Sequence, residues 1–444
     1  FFLFFGIKRG IEEEEEVEND SESDCGGFDR KIRLLDVRRT FIHSLKICRK
    51  LCTKTFIVSL TGTSSWITER VSNTTTKNAR SKIPKWYVES RLVTQPTITN
   101  DFERQVGSED LSLSRDEKVL FITQGDLHTT FHHGPKRSAE GHIYTLGIED
   151  DEAVRAEIEN FPSTMTFRPH GMYVSKTTDL MYVVNHLGEY SQVEVFAINY
   201  DTTPITLRYV RSVRDDTLFP KYGINDVVEG KKEGEVYITQ WLPFGLPAGG
   251  SNHGETLKEK VVNSLKTQVL LTGRTGLSLT RLFRCQWDVQ DPSKSSRCEL
   301  ATSRTFVGAN GITTNDDRSK IFVVDATAKQ VVVFAKRTER GHLTFDHVID
   351  LPYAADNIEY QSNGDLLMGT IPILHIAADA KGPQDPVPGG MLVASPKGSS
   401  GQDWTLSHPL VHEGTKMSQV SAAARFGNRV VLGSPYANGI LVCE

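Results

Sequence analysis

Short runs of β-forming residues recur from residue 109 onward, each placed just after a polar turn. They are VLFIT from Val119, MYVVN from Met181, VYIT from Val236, IFVV from Ile321, LLMGT from Leu366 and VVLGS from Val430. The turns ahead of them (SRDEK, SKTTD, KKEGE, TNDDRSK, QSNGD and RFGNR) carry the charged residues and glycines that reverse a chain. Six copies of one strand–turn–strand unit at unequal spacing, with insertions between them, predict radial repetition: an all-β, six-bladed β-propeller. A doubly wound α/β sheet would need a helical period between strands. Only ETLKEKVVNSLKT (255–267) has one, and it is expected as a helical insertion.

The first hundred residues have another character. IEEEEEVENDSESD is an acidic run, expected to be solvated and disordered. Leu34, Val37, Phe41, Leu45, Cys48 and Cys52 then recur at helical spacing among Arg and Lys. That pattern predicts a basic amphipathic helix, either docked on the main domain or lying on a membrane surface. A Ser/Thr/Asn-rich linker follows from Val71 to Thr99, with a glycosylation sequon at Asn73. The expected organisation is therefore a disordered or helical extension over 1–100 and a propeller over 101–444. FFLFFGI at the start is far shorter than the roughly 20 residues a bilayer span requires, and is compatible with the tail of a signal or anchor segment.

Composition alters this picture little. The 444 residues, 38% hydrophobic and 24% charged, allow a sizeable core with many turns. A formal net charge of −5 gives no case for nucleic-acid binding. The six cysteines (25, 48, 52, 285, 298 and 443) lack metal-type pairing. Cys285 and Cys298 flank QWDVQDPSKSSR, which reads as a hairpin loop; a disulfide across it and two free thiols both fit the sequence.

Candidate chemistry comes from phase. Ten or eleven residues before the second strand of successive units stand Glu109, His170, Asn225, Asn310 and Asp356, the last followed by Asn357; the sixth unit offers Ser418 or Gln419. In a propeller the first strand of each blade lines the central channel, so these side chains converge near the axis. Carboxylates meeting there repel one another unless a cation lies between them. All-oxygen ligation by Asp, Glu and Asn suits Ca²⁺ better than Zn²⁺ or copper, and suits Mg²⁺ less because that ion keeps its waters. Any one of these pairs alone is an ordinary turn dipeptide. Their shared phase is the signal.

Other features carry less. HTTFHHG, with His128, His132 and His133, reads as a solvated loop and not as a metal site. The chain has no G-x-S-x-G nucleophile elbow, which argues against an acyl-enzyme route. Phe219, Trp241, Phe244 and Leu246 fit an apolar pocket wall and plain core equally well.

Taken in order, GSEDLSLSRDEKVLFITQG, FRPHGMYVSKTTDLMYVVNH, GINDVV, GANGITTNDDRSKIFVVD, YAADNIEYQSNGDLLMG and NGILVCE resemble the paraoxonase/arylesterase family across residues 105–444. The resemblance implies a propeller with two Ca²⁺ ions in its tunnel that hydrolyses lactones and aryl esters, some members also taking organophosphate triesters. It implies a catalytic calcium on Glu109, Asn225, Asn310, Asp356 and Asn357. A deeper, structural calcium would lie on Asp110, Asp226 and the backbone carbonyl of Met172. His170 becomes the general base and His186 its orienting partner, although His186 reads equally as a channel-lining histidine. A secreted or membrane-associated location follows from the same resemblance. Three departures stand out. No cysteine lies between 53 and 284 to pair with Cys443, MGTIPILH lacks the polar histidine of the vertebrate enzymes, and QWLPFGLPAGGSNHGETLKEKVV replaces an aromatic lid. Two other readings stay open: a non-catalytic, calcium-stabilised propeller that binds partners through its rim, and a sugar-lactone hydrolase.

Overall fold

Strand pairing falls into six sheets in the computed structural model, which describes residues 107–132, 138–187, 190–219, 223–243, 278–291, 294–337, 341–373, 377, 380, 385–398, 401–437 and 439–443. Blade 1 contains β1 (Leu111–Leu113), β2 (Val119–Gln124), β3 (His142–Gly147) and β4 (Val154–Arg155). A short strand, β5 (Glu157–Glu159), crosses to blade 2, where it runs parallel to that blade's last strand. The rest of blade 2 is β6 (Pro169–Val174), β7 (Leu180–His186), β8 (Ser191–Asn199) and β9 (Thr206–Val213). Blade 3 holds β10 (Ile224–Glu229), β11 (Glu235–Gln240), β12 (Leu282–Gln286) and β13 (Arg297–Leu300). Blade 4 has β14 (Ala309–Thr314), β15 (Ile321–Asp325), β16 (Gln330–Arg337) and β17 (Leu343–Asp350). Blade 5 has β18 (Ala354–Tyr360), β19 (Leu366–Ile371), β20 (Gly389–Lys397) and β21 (Asp403–His412), and blade 6 has β22 (Ala422–Phe426), β23 (Arg429–Gly433) and β24 (Leu441–Cys443). The six-bladed all-β propeller expected from the repeats is the fold, and every predicted second strand is present.

Burial explains why those second strands read as continuous apolar runs and not as alternating ones. Each blade is covered on both faces by its neighbours, so successive residues both need to be apolar. On β2, Leu120 and Ile122 pack into a cluster with Ala424, Phe426 and Val431 of blade 6. Phe121 between them packs the other way, with Met172, Val174 and Val183 of blade 2.

The ring closes through backbone and hydroxyl contacts. Ser108 N donates to Ser434 O at 2.7 Å and Gly107 N to Ala437 O at 3.0 Å. Ser108 Oγ donates to Gly439 O at 2.7 Å and accepts from Ser434 N at 3.2 Å. Cys443, in the last strand, is a buried thiol, and Cys52 lies outside the described residues. A disulfide joins Cys285 and Cys298, which stand opposite each other on β12 and β13.

One expectation needs correction. HTTFHHG does not lie in an irregular loop: Leu127–His132 forms a short helix, α1, begun by Asp126, whose Oδ1 accepts from Thr129 N at 3.0 Å. The Asp126 cap supplies the start signal that the histidine-rich composition obscures. No helix among the described residues is long and apolar enough to cross a membrane. The 1–100 extension with its boundary, its basic helix and Asn73, the 255–267 helix, His133, Phe244 and Leu246 all lie outside the described residues.

Candidate metal centre and histidine pair

The inner strands of blades 2 to 5 share a defect. Pairing slips between Pro169 and Met172, Ile224 and Val227, Ala309 and Ile312, and Ala355 and Ile358. The residues inside the slips are His170–Gly171, Asn225–Asp226, Asn310–Gly311 and Asp356–Asn357; Glu109–Asp110 precede β1 in the same way. A bulge frees backbone groups from the ladder and re-aims side chains, here toward the axis. The fixed phase seen in the sequence is the position of this bulge.

The second residue of each pair alternates around the ring: Asp110, Gly171, Asp226, Gly311, Asn357. The alternation is steric and electrostatic together. Asp110 Oδ2 accepts from Met172 N of the next blade at 2.7 Å, and Asp226 Oδ2 accepts from Ile312 N of the next blade at 2.8 Å. Their other oxygens accept from Leu111 N at 2.8 Å and Val227 N at 2.7 Å. The glycines make room for the neighbouring blade. A Cβ on Gly171 would lie 2.5 Å from Asn225 O, and one on Gly311 would lie 2.6 Å from Asn357 Cα and 2.7 Å from Asp356 O. Gly311→Ala is therefore expected to destabilise the fold by about 1–3 kcal/mol, as overpacking does. Calorimetry tests this, and an unchanged melting temperature would mean that blades 4 and 5 can part at no cost.

First residues of the pairs converge, joined by the second residue Asn357. Asn357 Nδ2 donates to Glu109 Oε1 at 2.8 Å and to Glu109 O at 3.0 Å, and a hydrogen bond joins Asn310 to Asp356. The axis-facing hydroxyl of blade 6 is neither Ser418 nor Gln419: Ser421 Oγ donates to Glu109 O at 2.6 Å. Four buried oxygens in the group have no hydrogen-bond partner, namely Glu109 Oε2, Asn225 Oδ1, Asn310 Oδ1 and Asn357 Oδ1. Burying acceptors without donors is costly, so these atoms fit a bound cation. Glu109, Asn225 and Asn357 are buried, whereas Asn310 and Asp356 are half-buried.

Charge points the same way. Burial pushes the Glu109 carboxyl up, and Asp356 and Asp226 push it further; burial and then Asp226 raise Asp110. Burial likewise raises Asp226, and takes Asp356 up to about 7. A divalent cation would remove this repulsion. Among the described residues no three His, Cys, Asp or Glu form a metal-type cluster, because three of the five converging donors are carboxamides. Mixed carboxylate–carboxamide oxygen suits a hard cation of flexible coordination, such as Ca²⁺. The Asp110–Asp226 pair also fits a cation by charge, although all four of its oxygens already accept backbone hydrogen bonds. Met172 stands beside it, its N–H on Asp110.

The predicted histidines also meet. His170 Nδ1 and His186 Nε2 are 2.9 Å apart, His186 Nδ1 is 2.8 Å from Ser191 Oγ, and His170 Nε2 is 3.5 Å from Glu109 Oε1. Burial pushes His170 down to about 3; burial, then His170 and Arg168, push His186 down as well. Both rings are accordingly neutral near pH 7, with the Glu109 carboxyl beside His170 Nε2. The Trp241 ring meets His170 edge-on at 6.1 Å between centroids and so belongs to the site wall. Phe219 is core, packed on Phe283 at 5.7 Å. Sequence reasoning missed Tyr436, in the loop after β23. Burial, then Asp356 and Glu109, push its phenol up to about 12, and its ring meets His128 of α1 at 5.6 Å. Its only sequence signal was an aromatic in an otherwise small-residue turn, SPYANG.

The far end of the channel is bridged. Lys176 Nζ, from the turn after β6, lies 3.5 Å from Glu359 Oε1 on β18 of blade 5, directly across the ring, and donates to Leu113 O at 2.9 Å. Ser175 Oγ and Arg318 Nη1 reach Glu229 Oε2 of blade 3 at 2.7 Å and 3.8 Å. A separate cleft of about 390 Å³ between blades 2 and 3, lined in part by Leu180, Tyr182, Val210 and Trp287, shares Glu229 and Arg318 with this end of the channel but includes none of the converging oxygen donors or the histidine pair.

Fold and site together define a six-bladed propeller with an axial oxygen-donor centre beside a buried histidine pair. The arylesterase family model matches residues 105–240 and 296–444, well over half of the sequence, and the chain belongs to the arylesterase family. It is 27% identical over 271 residues to serum paraoxonase/lactonase 3 of Oryctolagus cuniculus and 25% identical over 271 residues to that of Mus musculus. Both alignments cover 60% of this chain and 66% of the relative, so the chain spans just under two-thirds of the curated relatives' length. Among solved structures, the Pseudomonas aeruginosa periplasmic gluconolactonase PpgL aligns over 76% of this chain and 88% of its own, with 11% identity and a TM-score of 0.43.

Proposed function

We propose that this protein is a calcium-dependent hydrolase of small-molecule carboxylic esters and lactones. The observation that carries the reading is the four partnerless oxygens on Glu109, Asn225, Asn310 and Asn357, within one carboxylate of the His170–His186 pair. Membership of the arylesterase family supports it. Glu109, Asn225, Asn310, Asp356 and Asn357 would hold the catalytic ion. Asp110 and Asp226, with the Met172 carbonyl, would hold a second, structural one. When bound, the catalytic ion polarises the substrate carbonyl and offsets the charge of the oxyanion.

The chain's residues supply the remainder. His170 takes a proton from the attacking water, and His186 fixes the plane of the His170 ring and shares the charge it acquires. Glu109, 3.5 Å from His170 Nε2, ties the base to the ligand group. Trp241 covers the base on one side and keeps bulk water from it.

Turnover of phenyl acetate and of aliphatic and sugar lactones, measured as purified, after chelation and after calcium is returned, tests the proposal. Activity is expected to vanish on chelation and to recover with calcium in the wild type but not in Asp356→Ala. Turnover indifferent to chelation would overturn the metal reading. A calcium-dependent melting temperature without turnover of any substrate would favour the rim-binding module, and turnover of sugar lactones alone would fix the sugar-lactone alternative.

A further inference from the structure

Blade 6 contributes no carboxylate or carboxamide to the axial group, and the loop after its second strand occupies the position beside that gap. Residues 434–437 of this loop are tied along residues 107–108 by the bonds that close the ring, directly before Glu109. Ser434 Oγ accepts from Tyr436 N and from Ala437 N at 3.2 Å each, which fixes the loop's turn. The Tyr436 ring rests edge-on against His128, and its phenol feels the charges of both Asp356 and Glu109. Among the described residues its hydroxyl has no hydrogen-bond partner. Tyr436 is half-buried beside the site, held by its ring and its backbone. Blades 2 and 6 flank blade 1 on opposite sides, so Tyr436 and His170 approach the Glu109 region from opposite sides.

We propose that the Tyr436 hydroxyl donates a hydrogen bond to the leaving-group oxygen of the ester or lactone. The assignment rests on the hydrolase reading above and deepens it. As water adds to the carbonyl carbon, its proton passes to His170 and a new C–O bond forms. The bond to the leaving oxygen then breaks with its electron pair on that oxygen, which is finally neutralised by the proton His170 had taken. Tyr436 keeps its own proton throughout and stabilises the negative charge that gathers on the departing oxygen. Such help matters most when the departing oxygen is basic, as in an alkyl ester or an aliphatic lactone, and least when it is a nitrophenolate that carries its own charge well.

The test is Tyr436→Phe, which removes one oxygen and keeps the ring on His128. Calcium-loaded wild type and variant are compared on acetates graded from p-nitrophenyl through phenyl to alkyl, and on an aliphatic lactone. The variant is expected to match wild type within about twofold on p-nitrophenyl acetate. Loss of a donor to developing charge should lower kcat/KM at least tenfold on the alkyl ester and the lactone. The dependence of rate on leaving-group pKa thus becomes steeper, which a merely structural role would not produce. Equal losses across the series, or no loss anywhere, overturn the assignment while leaving the hydrolase reading intact. A wild type inactive on every ester and lactone overturns both.

Discussion

Chelation at pH 8 is expected to lower the melting temperature by about 8 °C relative to protein in calcium at a thousand times its Kd, and to lower it far less at pH 5. A ligand at that excess stabilises by about 4 kcal/mol, worth roughly 2 °C per kcal/mol in a domain of this size. The pH dependence follows from the buried carboxylates. Burial and mutual repulsion hold Glu109, Asp110, Asp226 and Asp356 above the ordinary range, Asp356 at about 7. For acids raised in the folded state, the stabilising contribution is complete below the unfolded value, about 4, and is lost as pH rises through the folded value. The cation-free protein should therefore weaken as pH rises from 5, with the share due to Asp356 lost mostly between pH 5 and 7 and levelling off above that. A bound divalent ion favours the ionised carboxylates and flattens that slope. Groups elsewhere titrate alike with and without calcium and cancel in the difference. Scanning calorimetry across this range decides the matter, and a gap between the two curves that does not grow with pH would mean that no cation sits among these side chains.

His170→Gln should cut turnover by two or more orders of magnitude, the usual scale of a general base, while calcium affinity changes little. Glutamine retains a polar tip of similar reach but accepts no proton at neutral pH. None of the orphaned oxygens belongs to His170, so the ligand set survives the change. His186→Gln should cost less, because its contact with the site runs through His170 Nδ1. Turnover of His170→Gln within twofold of wild type on phenyl acetate would remove the histidine from the chemistry and shift the search for a base to the carboxylates.

What the sequence made legible was whatever repeats. The inner-strand bulge recurs in blades 2 to 5 and Glu109 stands at the matching place before β1, so Glu109, His170, Asn225, Asn310 and Asp356 carry a phase that can be counted. Blade 6 lacks the bulge, and counting consequently landed on Ser418 and Gln419 where the structure presents Ser421. The alternation of Asp110, Gly171, Asp226, Gly311 and Asn357 was visible, but its reason was not. It lies in contacts between one blade and the next, across sixty to ninety residues of chain. Tyr436 was illegible for the same reason. Its partners His128, Asp356 and Glu109 are brought to it only when the ring closes, and no local spacing records that event. Phe219 could not be sorted from Trp241 because both are aromatics near insertions, and only packing separates one that meets Phe283 from one that meets His170.

The lysine that crosses the ring to Glu359 has a consequence for traffic. That bridge spans the far end of the channel, which disfavours passage straight through and favours exit by the mouth used for entry. For the hydrolase proposed above, a spent acid and the next incoming molecule would queue for one threshold, and slow departure of bulky acids would show as inhibition that rises with their size.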